Sequence, residues 1–416
     1  TPTKSLIEEL IKIDFDIFLI SYTLNCDHWV SLWKDIIRNT KQLKNKKIIY
    51  SSPSHHHIYH AYCALTWRTG IKTTLVADGA GAPLNDATTF KIERESLYNE
   101  TKHLITEENK IGLKYEDFSK KHFKDMYACG KTMAWSLHDP RAKKIQIEFE
   151  TSMNNLVNKW NIKKEIIFTG GCAQNVLYNS QLLNKFNKVF CDPFNGDFGL
   201  SLGFANYYLN NSIFNNQIYL GIPQDVNVKL FSNYDVVDIS PGDVAKILLN
   251  DPVAIFQSRS EQGQRGLGNR SLLMNPMHKN AHKKLNEIKK REWFRPFACS
   301  VLEEEASKWF KMKGVKESPY MMHVFDVDQK KKKILQAGVA KDNNSRIQTV
   351  KKTDNLHYYN LIKEFDKLTK IPIVINTSLN LPGEVLVETM QDLKELFERS
   401  KLKFIYLPEI NKLIKK

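Results

Sequence analysis

Four short apolar runs each empty into a loop built around glycine or aspartate, with helical stretches between them. They are Thr73-Thr74-Leu75-Val76-Ala77 before Asp78-Gly79-Ala80-Gly81, Glu165-Ile166-Ile167-Phe168-Thr169 before Gly170-Gly171, Lys188-Val189-Phe190-Cys191 before Asp192, and Val253-Ala254-Ile255-Phe256 before the stretch 257–271. Runs of this length, rich in β-branched and aromatic residues and bounded by turn residues, predict strands. Strands that alternate with helices predict an α/β fold, a layered arrangement with loops gathered at strand ends.

Other elements follow the same logic. Strands are expected at 16–21 and 47–50, with an amphipathic helix over 29–43 between them. Ser51-Ser52-Pro53 offers a helix start, and residues 86–90 one limb of a hairpin. Residues 115–160 are helical in pattern, as is the chain from Val176. A later helix holds Gly203 and Ala205, small enough for close packing. The second half reads as strand 253–256, a glycine loop, helix 279–290, a mixed β region 297–348, helix 355–368 and strand 371–375. A chain of 416 residues exceeds a single core. Regularity fades between 221 and 241, which places domains at 1–224 and 225–416.

No apolar run approaches the roughly 18–20 residues of a membrane span. The six cysteines are scattered, with no Cys-x-x-Cys pair, so reduced thiols and a cytoplasmic setting are expected. Lys and Arg number 61 against 46 Asp and Glu, a formal charge of +15. That balance favours polyanionic partners, DNA among them, or phosphorylated small molecules.

The stretch 257–271 carries Arg259, Arg265 and Arg270 among Gly263, Gly266 and Gly268. Glycine lets backbone amides converge on an oxyanion, and a guanidinium matches two oxygens at once. His56 and His60 stand four apart on an expected helix, so both rings face one side and suit one metal ion. Asp78 and Asp197, each beside glycines after a strand, are the carboxylates chosen to complete it. Gly170 and Gly171 could bring amides to a nucleotide, with Asn175 reaching its sugar or base. Lys289, Lys290, Arg291 and Arg295 surround Trp293, Phe294 and Phe297, and Arg346, Thr377 and Ser378 add further donors.

Together these strings resemble the carbamoyltransferases of antibiotic and nodulation-factor tailoring. The matches are Gly268-Asn269-Arg270-Ser271, Lys289 with Arg291-Glu292, Phe294-Arg295-Pro296-Phe297-Ala298, Pro319-Tyr320-Met321, Arg346 with Gln348-Thr349-Val350, and Asn376-Thr377-Ser378-Leu379-Asn380. In the first half they are His56-His57-Ile58-Tyr59-His60-Ala61, Asp78-Gly79, Gly170-Gly171 with Asn175, and Gly196-Asp197 with Gly199.

The resemblance implies an actin-like (ASKHA) first domain and an α+β, YrdC-like second domain. It implies that carbamoyl phosphate and ATP, with Mg2+, yield carbamoyl adenylate in the second. The first would hold that adenylate at a divalent metal, expected to be Fe2+, and carbamoylate an acceptor hydroxyl. His56, His60, Asp78 and Asp197 carry over as metal ligands. Arg265, Arg270, Lys289, Arg291, Arg295 and Arg346 carry over as catalytic cations. Gly170, Gly171, Asn175, Asn269, Ser271, Asn376 and Ser378 carry over as binding residues. The charge favours a hydroxymethylated DNA base as acceptor over a sugar or antibiotic. Threonylcarbamoyl transfer to tRNA and a nucleic-acid-binding protein on a degenerate scaffold are the other readings.

The sequence also departs from the family. The first hairpin, with its His-Asp-Ser-Ser-type loop, is not found before Asp16. Gln264-Arg265-Gly266 replaces the usual Pro-Arg-Ala, and residues 340–344 lack the usual histidine and glycine.

Overall fold

The computed structural model describes residues 12–13, 15–21, 27–43, 46–51, 55–67, 69–78, 88–93, 103–108, 111–124, 129–210 and 217–416. The helix start at 52–53, the glycines at 79–81, the first limb residues 86–87 and the chain before residue 12 lie outside them, as does the expected absence of the first hairpin. The chain folds as two compact units. One takes Thr1–Asp117, Glu148–Gln174 and Phe186–Asn216, the other Phe118–Ile147, Asn175–Lys185 and Gln217–Lys416.

The first unit pairs strands β1 (Ile17–Ile20) and β2 (Lys47–Tyr50) in parallel, with helix α1 (Asp27–Asn39) between them in the chain. Its main sheet has five strands. Strand β3 (Thr73–Ala77) lies between β4 (Thr88–Glu93) and β6 (Glu165–Thr169), β5 (His103–Glu108) pairs with β4, and β7 (Lys188–Cys191) pairs with β6. β3, β6 and β7 run parallel, while β4 runs antiparallel to both its neighbours.

Helix α2 (His56–Leu65) packs one flank, Ala64 and Leu65, on Ile71 and Ile167. Tyr59 on its other flank meets Leu200 and Phe204 of helix α7 (Leu200–Leu209). Gly203 makes this crossing possible, because a Cβ there would come within 1.9 Å of the Tyr59 carbonyl oxygen. The close packing expected of that glycine is present.

The second unit is built on a ten-stranded mixed sheet. In spatial order its strands are Phe310–Lys311, Val324–Val327, Asn344–Val350, Ala298–Leu302, Ile373–Ser378, Arg270–Met274, Val253–Phe256, Phe404–Leu407, Lys412–Lys415 and Asp235–Asp238. Only the pairs Ala298–Leu302 with Asn344–Val350 and Val253–Phe256 with Phe404–Leu407 are parallel. Helices cover both faces of the centre, so its strands are apolar throughout. Val253 and Ile255 face Val244, Tyr358, Leu361 and Phe365, whereas Ala254 and Phe256 face Leu285, Leu393 and Phe397. That split is the period of two expected along a strand.

The unit boundaries differ from a single cut near 224. Residues 118–147 and 175–185 join the second unit because their side chains are satisfied there. Phe123 and Trp135 meet the Phe294 ring, Asn179 Nδ2 donates to the Met322 carbonyl, and Ser180 Oγ accepts from Val324 N–H. No helix among the described residues is long and apolar enough to cross a membrane. The five described cysteines are free thiols.

Candidate functional site

In the first unit, α2 presents His56 and His60 one turn apart, both buried. His56 Nε2 lies 3.0 Å from Asp78 Oδ2 and 3.6 Å from Asp197 Oδ1. For His60 Nε2 the same distances are 3.3 and 3.8 Å. All four ligand atoms fall within 4.8 Å of one another. Donors bonded to one ion at roughly 2.0–2.2 Å stand about 3.4 Å apart in tetrahedral geometry, so the set fits a metal. Two imidazoles and two carboxylates suit Fe2+ or Zn2+ better than an all-oxygen site for Ca2+ or Mg2+.

Asp78 is held firmly. Its second oxygen accepts from the Gly171 amide at 3.0 Å. Gly170 is left-handed at φ +85°, and a Cβ there would meet the Ala77 carbonyl oxygen at 2.2 Å. The Gly-Gly turn thus brings its amide to the carboxylate, an outer-shell contact that fixes the candidate ligand's orientation. Burial pushes the Asp78 carboxyl up, but hydrogen bonds and charge from His56 and His60 outweigh it and hold the pKa well below the usual range. Asp197 stays 60 % exposed, leaving one side of the cluster open.

Two acids nearby were not singled out from sequence. Asp192 is fully buried, accepts from Trp67 Nε1, Thr169 Oγ1 and Phe194 N–H, and is pushed by burial to about 6. Glu116 is raised to about 7, by burial first and then by the charges of Asp78, Asp117 and Asp197. The only sequence signal for Asp192 is its place directly after a strand, and an isolated glutamate on a helix gives none.

In the second unit, the amides of the glycine loop do converge on an anion, but that anion is the loop's own Glu261. The buried Glu261 accepts from the N–H groups of Leu267, Asn269 and Arg270 at 2.6, 2.7 and 3.1 Å. Arg270 is committed as well. Its guanidinium donates to the carbonyls of Gln257, Ser258 and Glu388 and lies 3.8 Å from the Phe256 ring centroid. Gly268, at φ +114°, lets the loop lie flat on Tyr358, where a Cβ would come within 2.3 Å of the ring.

Several proposed binding residues are likewise internal pins. Ser271 Oγ accepts from Gly268 N–H. Asn269 donates to the Arg259 carbonyl and accepts from Asn355. Asn376 Nδ2 contacts Gly266 O, Ser300 Oγ and Gln348 Oε1. Ser378 Oγ donates to Asn380, and the Lys289 ammonium donates to the carbonyls of Ser378 and Asn380 at 2.6 Å each. Asn175 caps helix α6 (Val176–Leu182) through Tyr178 N–H and exchanges hydrogen bonds with Gln146.

Four guanidinium groups remain, and they share one field. Burial and the charges of Arg291 and Arg295 lower Arg265 to about 10. Burial, Arg295 and Arg346 lower Arg291 to about 9. Burial, Arg265 and Arg295 hold Arg346 well below its usual value. The Nε atoms of Arg265 and Arg346 are buried without a hydrogen-bond partner among the described residues. Glu292 is the acid nearest this group, and it is shared between Lys131 at 3.0 Å and Arg295 at 3.4 Å. Like charges crowded together and partly buried are stabilised by anions that neutralise them, and guanidinium forks are shaped for phosphate or carboxylate oxygens.

Residues 244–415 match the family described as Carbamoyltransferase C-terminus. An uncharacterized protein of Methanocaldococcus jannaschii is 34% identical over 257 residues, 58% of this chain and 49% of that protein. Nodulation protein NolNO of Sinorhizobium fredii is 34% identical over 250 residues, 55% of this chain and 37% of that protein. Nodulation protein NolO of Bradyrhizobium diazoefficiens is 34% identical over 248 residues, 55% and 45% of the two lengths. The chain therefore spans about half the length, or less, of the curated relatives it matches. Among solved structures, a PilM-PilN type IV pilus biogenesis complex matches at a TM-score of 0.28 with 14% identity, over 40% of this chain and 55% of that one. A likeness so slight carries no argument about fold. Residues 244–415, within the second unit, are thus similar to the C-terminal part of carbamoyltransferases, and over about half its length the chain is similar to the nodulation proteins.

Proposed function

We propose that the chain is an ATP-dependent O-carbamoyltransferase, its second unit YrdC-like and its first unit actin-like. The observation that carries this reading is the group Arg265, Arg291, Arg295 and Arg346, four crowded cations beside one acid, Glu292, which is itself shared with Lys131. Carbamoyl phosphate and ATP bring the negative charge this group lacks. Hydrolysis frees carbamate and phosphate. A carbamate oxygen then attacks the α-phosphorus of ATP, pyrophosphate leaves, and carbamoyl adenylate results. The guanidinium groups orient the reacting oxygens and stabilise the charge on the departing phosphates. Lys289, Arg270 and Glu261 act through the backbone, fixing the loop and the 378–380 turn against which the substrates rest.

Carbamoyl adenylate is consumed at the His56, His60, Asp78 and Asp197 cluster. His56, His60, Asp78 and Asp197 would hold a divalent ion, which when bound would supply Lewis-acid polarisation of the carbamoyl oxygen. Gly171 keeps Asp78 turned toward the cluster, and the exposed flank at Asp197 gives the acceptor hydroxyl its approach. The hydroxyl oxygen bonds to the carbamoyl carbon, the bond to AMP breaks, and the hydroxyl proton leaves to a base. Net charge favours a hydroxymethylated base in DNA as acceptor, with a sugar or antibiotic hydroxyl as the second reading.

The test offers labelled carbamoyl phosphate and ATP to 5-hydroxymethylcytosine DNA and to a panel of sugars. ATP-dependent label in DNA supports the reading, label in sugars alone removes the DNA acceptor, and no AMP formation with any acceptor defeats the enzyme.

A further inference from the structure

The second unit carries an aromatic feature that the anion chemistry does not use. Trp293 is 70 % exposed, and no other tryptophan or phenylalanine among the described residues matches it. A tight turn puts it there: Arg295 N–H donates to the Glu292 carbonyl at 3.1 Å, leaving Trp293 and Phe294 at the corners. In sequence the turn places Arg291 and Arg295, two of the four crowded arginines, two positions to either side of Trp293. Phe294 turns inward onto Phe123 and Trp135, while Trp293 meets the His138 ring at a 5.0 Å centroid distance and a 72° angle.

The two rings form an open corner with cations around it. Burial, and after it the charge of Lys341, lower the pKa of His138. Lys341 belongs to the 340–344 stretch where this sequence departs from its family. Arg141 lies over Trp135 and Lys131 over Phe123 in the same aromatic cluster. An exposed indole two residues from an arginine on either side suits a flat, anionic ligand, and a nucleobase bearing a phosphate has both properties.

We propose that Trp293 and His138 are a nucleobase platform, with the base stacked on the indole and its phosphate held by Arg291 and Arg295. The proposal rests on the reading of the arginine chamber as a phosphoryl site. The base can come from the nucleotide co-substrate or from a nucleic-acid acceptor.

Calorimetric titration of the full chain with AMP, with pyrophosphate and with a single-stranded DNA oligonucleotide tests the platform. Trp293→Ala is expected to weaken AMP about 5- to 100-fold, the range for one stacked base, while Trp293→Phe retains most of the affinity. Pyrophosphate, which has no base, binds the wild type and both variants alike. Loss confined to the oligonucleotide also supports the platform and assigns the base to the acceptor. If AMP and oligonucleotide bind Trp293→Ala as they bind wild type, the platform is overturned, and pyrophosphate binding still upholds the chamber. If wild type does not take up pyrophosphate, the chamber reading itself falls and the platform falls with it.

Discussion

Replacing Arg291 with methionine separates stability from binding. Arg291 is lowered well below the usual guanidinium range, to about 9, by burial and by Arg295 and Arg346. A base whose folded pKa lies below its unfolded one costs stability in full at any pH below the folded value. The cost is relieved as pH rises from about 9 toward the ordinary guanidinium value. At pH 7 the shift corresponds to at most about 5 kcal/mol, at roughly 1.4 kcal/mol per unit. Counter-ions and side-chain movement reduce this to ~1–3 kcal/mol, and the lost contact with the Phe297 ring, 5.7 Å away, takes back about 0.5–1 kcal/mol. Methionine keeps the apolar stem and fills similar volume. Arg291→Met is therefore expected to melt a few degrees above wild type in anion-free, low-salt buffer, at roughly 2–4 °C per kcal/mol. Added pyrophosphate should reverse the order, raising the wild-type melting temperature more. A variant less stable than wild type without anion, or stabilised equally by pyrophosphate, would refute the reasoning.

Asp78→Asn removes the carboxylate nearest both imidazoles and should lower metal affinity more than about 100-fold, beyond the 10–100-fold typical of outer-shell changes; metal content after purification and retitration measures it. Glu261→Gln leaves three loop amides without a charged acceptor and should cost ~2–3 kcal/mol by denaturant unfolding, with hydrogen exchange rising at 267–270. Gly203→Val drives a side chain into the Tyr59 carbonyl and should destabilise the first unit by ~2–4 kcal/mol, seen as an early melting transition. Asp192 is raised from 3.8 to about 6, so the folded form holds its proton longer and stability should fall as pH rises from about 4 to 6, by at most ~3 kcal/mol. Asp192→Asn should flatten that slope, and an unchanged pH profile would count against the assignment.

The grouping of His56, His60, Asp78 and Asp197 was legible because its parts follow local rules. A four-residue spacing puts His56 and His60 on one helix face, and the aspartates follow strands, where loops gather. Strand identity was equally local, since Val253 to Phe256 reads the same in any window. The ten-strand order was not legible, because partners such as 298–302 and 373–378 are far apart in the chain and meet only through packing. The arginine stretch shows a subtler limit. Sequence shows which residues carry charge, but not which charges are already spent. Arg270 and Arg265 stand five positions apart in one loop, yet one is capped by backbone carbonyls and the other shares a crowded field. The internal carboxylate at 261 decides that difference, and a single glutamate between glutamine and serine gives no hint of it.

That carboxylate has a consequence for how the loop meets its ligand. A phosphate loop whose amides wait for substrate must collapse or gather solvent when empty, and part of each binding event goes into reordering it. Here Glu261 already holds the loop amides, so on the proposed reading the loop keeps one backbone path whether or not a substrate is bound. Binding of the proposed substrates would then change only side-chain neutralisation, and exchanging Arg265 or Arg346 is expected to alter donor preference without unravelling the scaffold beneath them.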